Sequence, residues 1–471
     1  MRKRPAWTGA HAGFLPLVFS LIAALSLASC SWFTPVPGGT TRTGPGVLVT
    51  GQGFVTLLDR QTGKQIWRRQ TNVTAFTPLL SNKVVYIVSQ NPGGYNPDRT
   101  DTLEALNLAN GQRQWSWSWS EHWTPENAPT IVDGIVYLSE SSLPTNATYS
   151  PAPLSQYQGF VVALRASDGQ QLWKVALSGL LSPATVTNDT VYVTNGLAVL
   201  ALRRSDGQQL WQHQPDAVED LSYYTSMQMQ QRQQNALIVQ GSQIDVEMRR
   251  AEGNQGVYDL VALDTRTGRE VWRFQSHGVM LPPLFSQGIF YIAYNAIPGG
   301  SYVVALNAAS GSVSWTYHVA VYFALYQPVL VGGVLYESEI ATDLKHTSSV
   351  VALRATDGSV LRRYAPYSGQ AMSMPVVSQH MLYLGEALPG TRDSFPVGIV
   401  ALDLTTGAEV WHSSQLQPFG GVVPVVSQGQ LYAFSPWDYT PDTLVVLRAS
   451  SGSRLWSYPT QGWIYNVVTG L

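Results

Sequence analysis

One cysteine, Cys30, is all the thiol that the 471 residues contain. No disulfide can form within the chain, and the fold has to be held by packing. Charge is scarce as well. Asp, Glu, Lys and Arg make up 12% of the residues, against about 25% in an average globular domain. The formal net charge of -2 leaves no basic field, which excludes nucleic acid as a partner. The eight histidines never fall at HxxxH spacing, where two imidazoles on one helix face hold zinc. No glycine-rich loop stands between a strand and a helix to cradle phosphate. Beyond Cys30 no apolar run is long enough to span a bilayer.

The first residues are of another kind. Arg2, Lys3 and Arg4 precede an apolar stretch over 13–27, and Leu27-Ala28-Ser29 leads into Cys30. A basic n-region, an apolar h-region and small residues at the end make an export signal. The cysteine closing it resembles a bacterial lipobox, which implies acylation of Cys30 and a second acyl chain for stable anchoring. Residues 31–46 are rich in Ser, Thr, Pro and Gly and read as a flexible tether. The expected organisation is a lipoprotein signal peptide at 1–29, a lipidated cysteine and tether at 30–45, and one folded domain at 46–471. Such a protein is membrane-anchored and extracytoplasmic, at the cell surface or in a periplasm.

The folded part is built on a repeated phrase. Residues 161–173 read VVALRASDGQQLW, 260–272 LVALDTRTGREVW and 399–411 IVALDLTTGAEVW. Six further copies end at Trp67, Trp115, Trp211, Trp315, Arg362 and Trp456. The intervals run from 38 residues (Trp173 to Trp211) to 61 (Trp211 to Trp272). A period of that length marks a supersecondary unit stacked on its neighbours, and the β content makes it a propeller blade. In the most compact copy, 184–187, 190–194, 197–202 and 208–211 read as four antiparallel strands. Their turns are Asn188-Asp189, Asn195-Gly196 and Ser205-Asp206-Gly207. Residues 47–69 supply three strands without a first one, and 463–469 lie where a first strand is due, so the C-terminal strand closes the ring.

Ala, Gly and Trp at these offsets resemble the tryptophan-docking motif of quinoprotein-type (PQQ-like) propellers, and the lipobox with tether adds a resemblance to BamB-like lipoproteins. The resemblance implies an all-β single propeller whose Trp67, Trp115, Trp173, Trp211, Trp272, Trp315, Trp411 and Trp456 stabilise the ring. Nine copies are countable, but relatives usually have eight blades, so eight are expected with one irregular terminal repeat.

Loop lengths are unequal between the two faces. First-to-second turns are brief: Ser81-Asn82, Asp133-Gly134, Gln287-Gly288, Gly332-Gly333 and Gln428-Gly429. Long insertions are expected between second and third strands at 91–102, 140–158, 241–257, 338–349 and 386–397. Long loops on a rigid scaffold are where binding is usually found. The inter-blade connections of that face add Trp123, Tyr223, Tyr224, Tyr322, Phe323, Tyr326, Tyr367, Phe419 and Trp463. They read either as an aromatic surface for a protein or peptide, with a glycan as alternative, or as core beneath the loops.

Little here points to catalysis. Quinoprotein dehydrogenases typically carry an adjacent cysteine pair near the quinone, which a single cysteine cannot supply. The acidic groups Asp98, Asp101, Glu104 and Asp245, Glu247, Glu252, Asp259 follow no calcium-loop template. His122 and His277 have no recognisable nucleophile partner. The reading is a non-catalytic binding or scaffold protein without cofactor, metal or catalytic residues, with a BamB-like role in envelope protein assembly as one version. A quinone- or metal-dependent oxidoreductase and a polysaccharide-binding or sensor module are the alternatives.

Overall fold

The computed structural model describes residues 46–71, 78–89, 100–120, 127–142, 156–196, 198–214, 237–252, 255–296, 299–319, 323–341, 346–365, 370–371, 373–387, 398–413 and 423–471 except 435–442. Their regular elements are all strands, and these form nine antiparallel sheets. Numbered along the chain, blade 1 holds the strands of 46–70, blade 2 those of 79–120, blade 3 those of 130–178, and blade 4 those of 185–213. Blade 5 covers 238–275, blade 6 279–319, blade 7 323–364, blade 8 370–413 and blade 9 423–459. Nine blades correct the expected eight. Each of the eight complete repeats makes its own sheet, and the partial first repeat is completed rather than absorbed. Its fourth strand is Ile464–Val468, paired antiparallel to Gly46–Gly51 with Leu48 opposite Val468 and Val49 opposite Val467.

Alternation explains the blade, and the repeated phrase explains the ring. Middle strands such as Val199–Arg203 and Gly398–Asp403 are buried along nearly their whole length, because blades stack on both of their faces. On eight of the nine outer strands a Trp turns towards the next blade. Its Nε1 donates at 2.8–2.9 Å to a backbone carbonyl there: Trp67 to Leu108, Trp115 to Ala166, Trp173 to Arg204 and Trp211 to Thr265. Trp272, Trp315 and Trp411 reach Ala308, Ala355 and Ala449 in the same way, and Trp456 reaches Arg60 of blade 1, which closes the circle. The indole also lies flat against the turn glycine of the next blade. A Cβ on Gly207 would stand 2.7 Å from the Trp173 ring, and the residue has φ +76, so only glycine fits there.

A tyrosine in the second strand assists at four of the nine seams. The hydroxyls of Tyr86, Tyr192, Tyr291 and Tyr383 donate at 3.1–3.4 Å to the carbonyl that the Trp of the same blade already uses. Blade 7 lacks the Trp. Arg362 takes its place and donates to Thr406 O at 2.7 Å, while the Tyr364 hydroxyl bonds the free carbonyl of Leu404 at 2.8 Å.

The innermost strands face the central channel and contain no Asp, Glu, Lys or Arg, from Leu79–Ser81 to Ile464–Val468. In blades 6, 7 and 8 they come in two pieces: Val279–Met280 with Leu284–Ser286, Phe323–Leu325 with Val329–Val331, and Gln370–Ala371 with Val376–Ser378. Pro283, Pro328 and Pro375 stand at the breaks, where a residue without N–H cannot continue the ladder.

Candidate functional site

The two faces of the ring differ in how tightly the backbone is specified. On one face the first-to-second turns put paired residues at positive φ: Asn82 and Lys83, Asp133 and Gly134, Gln287 and Gly288, Gly332 and Gly333, Gln428 and Gly429. These are two-residue turns of the type that matches strand twist, and they leave little chain for recognition.

The opposite face carries the elaboration. The expected loop at 241–257 is corrected to a hairpin. Gln243–Glu252 and Gln255–Asp264 pair over their full length, ten residues each, with Glu252 opposite Gln255. Charged and glycine residues at 249–256 read as loop in the sequence, yet backbone pairing needs no apolar alternation. The loop expected at 338–349 is likewise strand through Ala341. The first inner pieces of blades 6, 7 and 8, Val279–Met280, Phe323–Leu325 and Gln370–Ala371, lie on this same side, because they pair with the far ends of their second strands.

The aromatic residues of the inter-blade connections fare differently. Trp123, Tyr223, Tyr224, Tyr322, Tyr367 and Phe419 lie outside the described residues, as does Cys30. Phe323 starts the inner strand of blade 7, opposite Ala341. Trp463 is half-buried, and its carbonyl accepts from Gln52 N at 2.9 Å beside the closing strand. Tyr326 is corrected: it is 3% exposed and belongs to the core, burial pushing its phenol well up. It sits in the break of the blade 7 inner strand, where the chain turns inward.

Polar side chains gather beneath this face. Asn127 N donates to Glu140 Oε1 at 3.2 Å and its amide donates to Ser139 O and Leu181 O. Asn295 Oδ1 accepts from Leu325 N across the seam between blades 6 and 7. At that seam Glu339 accepts from the Tyr317 hydroxyl at 2.7 Å and pairs with Arg363 of its own blade. Elsewhere Glu104 pairs with Arg69 of blade 1 and with Arg113, and Asp259 with Arg273 at 2.7 Å.

Two buried carboxyls interrupt the repeat and were not visible as a site in the sequence. Asp245, 1% exposed, occupies the place of Tyr86, Tyr137, Tyr192, Tyr291, Tyr336, Tyr383 and Tyr432. Its Oδ2 accepts from Gln240 at 2.7 Å. Burial pushes this carboxyl up to about 7, the Gln240 bond opposing the shift. Glu337, fully buried, occupies a place that is apolar in the other eight blades (Val49, Ile87, Leu138, Val193, Val246, Ile292, Leu384, Ala433). Its Oε1 accepts from Tyr326 N at 3.2 Å and its Oε2 has no partner. Burial holds this carboxyl well above the usual range, with Glu339 nearby adding to the effect. Together with Arg362 these departures fall at three successive seams, between blades 5 and 8. Lining up the repeats position by position is the signal that would have found them.

Among the described residues no group of three or more His, Cys, Asp or Glu is placed to hold a metal ion. Among the described residues, Glu104, Asp259 and Glu339 carry arginine partners.

A closed ring of four-stranded blades, eight of the nine fastened to the next by an indole over a glycine, defines a PQQ-like β-propeller. The chain belongs to the family described as outer membrane protein assembly factor BamB, whose model matches residues 27–148, 153–259, 255–387 and 397–470. No curated protein matches it in sequence. Among solved structures, BamB from Moraxella catarrhalis is 17% identical over 76% of this chain and 90% of its own, with a TM-score of 0.45. A quinohemoprotein alcohol dehydrogenase from Comamonas testosteroni is 13% identical over 81% of this chain and 75% of its own, TM-score 0.46. A eukaryotic initiation factor is 6% identical over 90% of this chain and 98% of its own, TM-score 0.59. Identities this low speak to the fold alone.

Proposed function

We propose that the protein is a lipid-anchored, extracytoplasmic, non-catalytic scaffold whose long-loop face docks a partner polypeptide, in an envelope-assembly role of the kind its family's name describes. One-sidedness carries the reading. Two-residue turns occupy one face, whereas the other holds the blade 5 hairpin and the first inner pieces of blades 6 to 8. Rigid blades beneath variable loops are the arrangement of a binding scaffold. Acylated Cys30 holds the ring at a membrane, and the neutral channel wall leaves specificity to the loops. A quinone-dependent oxidoreductase is disfavoured by the arginine-paired carboxylates and the single cysteine.

Affinity capture from solubilised membranes tests the reading. Replacing Trp123, Tyr224 and Trp463 together by Ala should remove the captured partner at unchanged melting temperature, as a few aromatics dominate most interfaces. Gln287→Lys, on the short-turn face, should retain it. Asp133 would be a poor control there, because it bonds Arg204 at 2.9 Å. Cys30→Ser should move the protein out of the membrane fraction. If the triple variant keeps its partner and Gln287→Lys loses it, the binding face is the other one.

A further inference from the structure

Every blade ends in an outer strand with one free edge, and such edges template pairing with other chains unless they are blunted by charge or proline. Eight of the nine carry an ionisable side chain or a proline beyond the position of the repeated Trp. The outer strand Gln65–Gln70 has Arg68 and Arg69, Gln171–Ser178 has Lys174, Gln209–His213 ends in His213, and Glu270–Gln275 has Arg273. Val313–Val319 has His318, Val360–Tyr364 has Arg362 and Arg363, Glu409–Ser413 has His412, and Arg454–Pro459 ends in proline.

The outer strand of blade 2, Arg113–Ser120, is the exception. It reads RQWSWSWS over eight residues and has no ionisable group or proline after Arg113. Ser116, Ser118 and Ser120 are exposed on one side. On the other, Trp117 stacks on Trp119 at 5.4 Å between centroids and packs edge-on against Phe160 of blade 3. The Lys174 ammonium lies 3.7 Å from the Phe160 centroid and 5.5 Å from that of Trp117. The strand is thus long and stiffened by rings. Among the described residues it pairs only with Thr100–Asn107.

We propose that this edge is a second interaction surface, taking an extended, uncharged segment of a partner polypeptide as an added fifth strand of blade 2. The unpaired backbone groups of 114–120 supply the hydrogen bonds. The serine side admits side chains of any shape, and the indole side favours apolar ones at alternate positions. A charged segment finds no counter-charge along 114–120, so an uncharged one is the occupant that matches.

The test uses the whole ring and a labelled, end-blocked peptide of about eight alternating Thr and Val residues, read by fluorescence anisotropy. Binding is expected, and N-methylation of alternate residues, which removes one edge of donors, should abolish it. Ser118→Lys restores the blunting found elsewhere and should weaken binding by about tenfold or more at unchanged melting temperature. Ser118→Pro should remove binding. The Trp123→Ala variant of the long-loop face should bind the peptide as wild type does, which separates this surface from the one proposed above. Equal binding of the N-methylated peptide, equal binding by Ser118→Lys, or no binding of the parent peptide overturns the proposal. So does a dimer of the protein that Ser118→Lys dissolves in the absence of peptide binding, since the edge would then belong to a second copy.

Discussion

Asp245 replaces a tyrosine that seven other blades keep, and the volume left over is filled from across the seam. Phe290, where the other eight blades have Val, Ile or Leu, lies 6.3 Å from the Trp272 ring. The carboxyl is left in an apolar seam with one amide partner, and the consequence is a pH-dependent stability. Its folded-state value, about 7, lies above the ordinary 3.8, so the fold favours the protonated form. That contribution is complete below about pH 4 and is lost as the pH rises through about 7, a fall of about 4 kcal/mol at about 1.36 kcal/mol for each pH unit. Asp245→Asn keeps a polar contact with Gln240 and removes the ionisation. Urea melts should show the variant matching wild type near pH 4 and exceeding it at pH 8. Glu337 adds a dependence of the same sign to both proteins, so their difference is the quantity to read. Parallel curves would show that Asp245 ionises freely.

Glycine gives a second contrast at this scale. Gly207 and Gly407 share a φ of +76, but a Cβ on Gly207 would strike Val175 at 2.6 Å and the Trp173 ring at 2.7 Å, whereas on Gly407 the nearest atom is Arg362 Nη1 at 3.2 Å. Alanine at either site strains the backbone by about 1–2 kcal/mol. Only Gly207→Ala also displaces an indole, so it should lower the midpoint of chemical unfolding clearly more than Gly407→Ala. Equal losses would mean that the ring contact contributes nothing.

At the scale of the element, the informative strand is Ile464–Val468. It covers an edge of Gly46–Gly51 that is otherwise buried and apolar over Val47, Leu48 and Val49, and it carries Ile464 and Val467 into the core cluster with Tyr432 and Trp456. Deleting 463–471 uncovers both the ladder and that cluster. A fall in melting temperature is expected together with a gain in aggregation through the open edge. An unchanged melt would refute the role of the strand. Strand positions were legible because alternation and a turn glycine before the outer strand recur in every repeat. The hairpin of blade 5 was not. Residues 249–256 read RRAEGNQG, and a run without apolar alternation carries no period by which to recognise a strand.

For the molecule as a whole, the ring and its closure could be read from nine phrases, and the ninth blade was in the count. The expectation of eight came from relatives and gave way to a sheet assembled from both ends. The face bearing the elaboration was legible too, through the contrast of turn lengths, but not which of its aromatics are buried. Tyr326 and Trp463 sit at similar places in the repeat, yet one is core and the other half-exposed. The difference lies in a proline break and in a glutamate from the neighbouring strand, contacts between residues that no local pattern announces. Asp245, Glu337 and Arg362 escaped for a related reason. A single polar residue in a strand looks like a solvent-facing one until its counterparts show the position to be interior.

The composite blade also sets an order of events. Blades 2 to 9 are each made from consecutive strands and can form as soon as their own segment is available. Blade 1 cannot. Its three early strands are left with a bare apolar edge while all the others are laid down, and they gain a partner only when the final strand arrives. During synthesis this exposed edge stays unfinished until the last strand is made, and it is a natural target for a holding chaperone or a protease. Completion of the ring is therefore a timing signal: a chain halted short of Ile464 advertises its incompleteness at the opposite end of its own sequence.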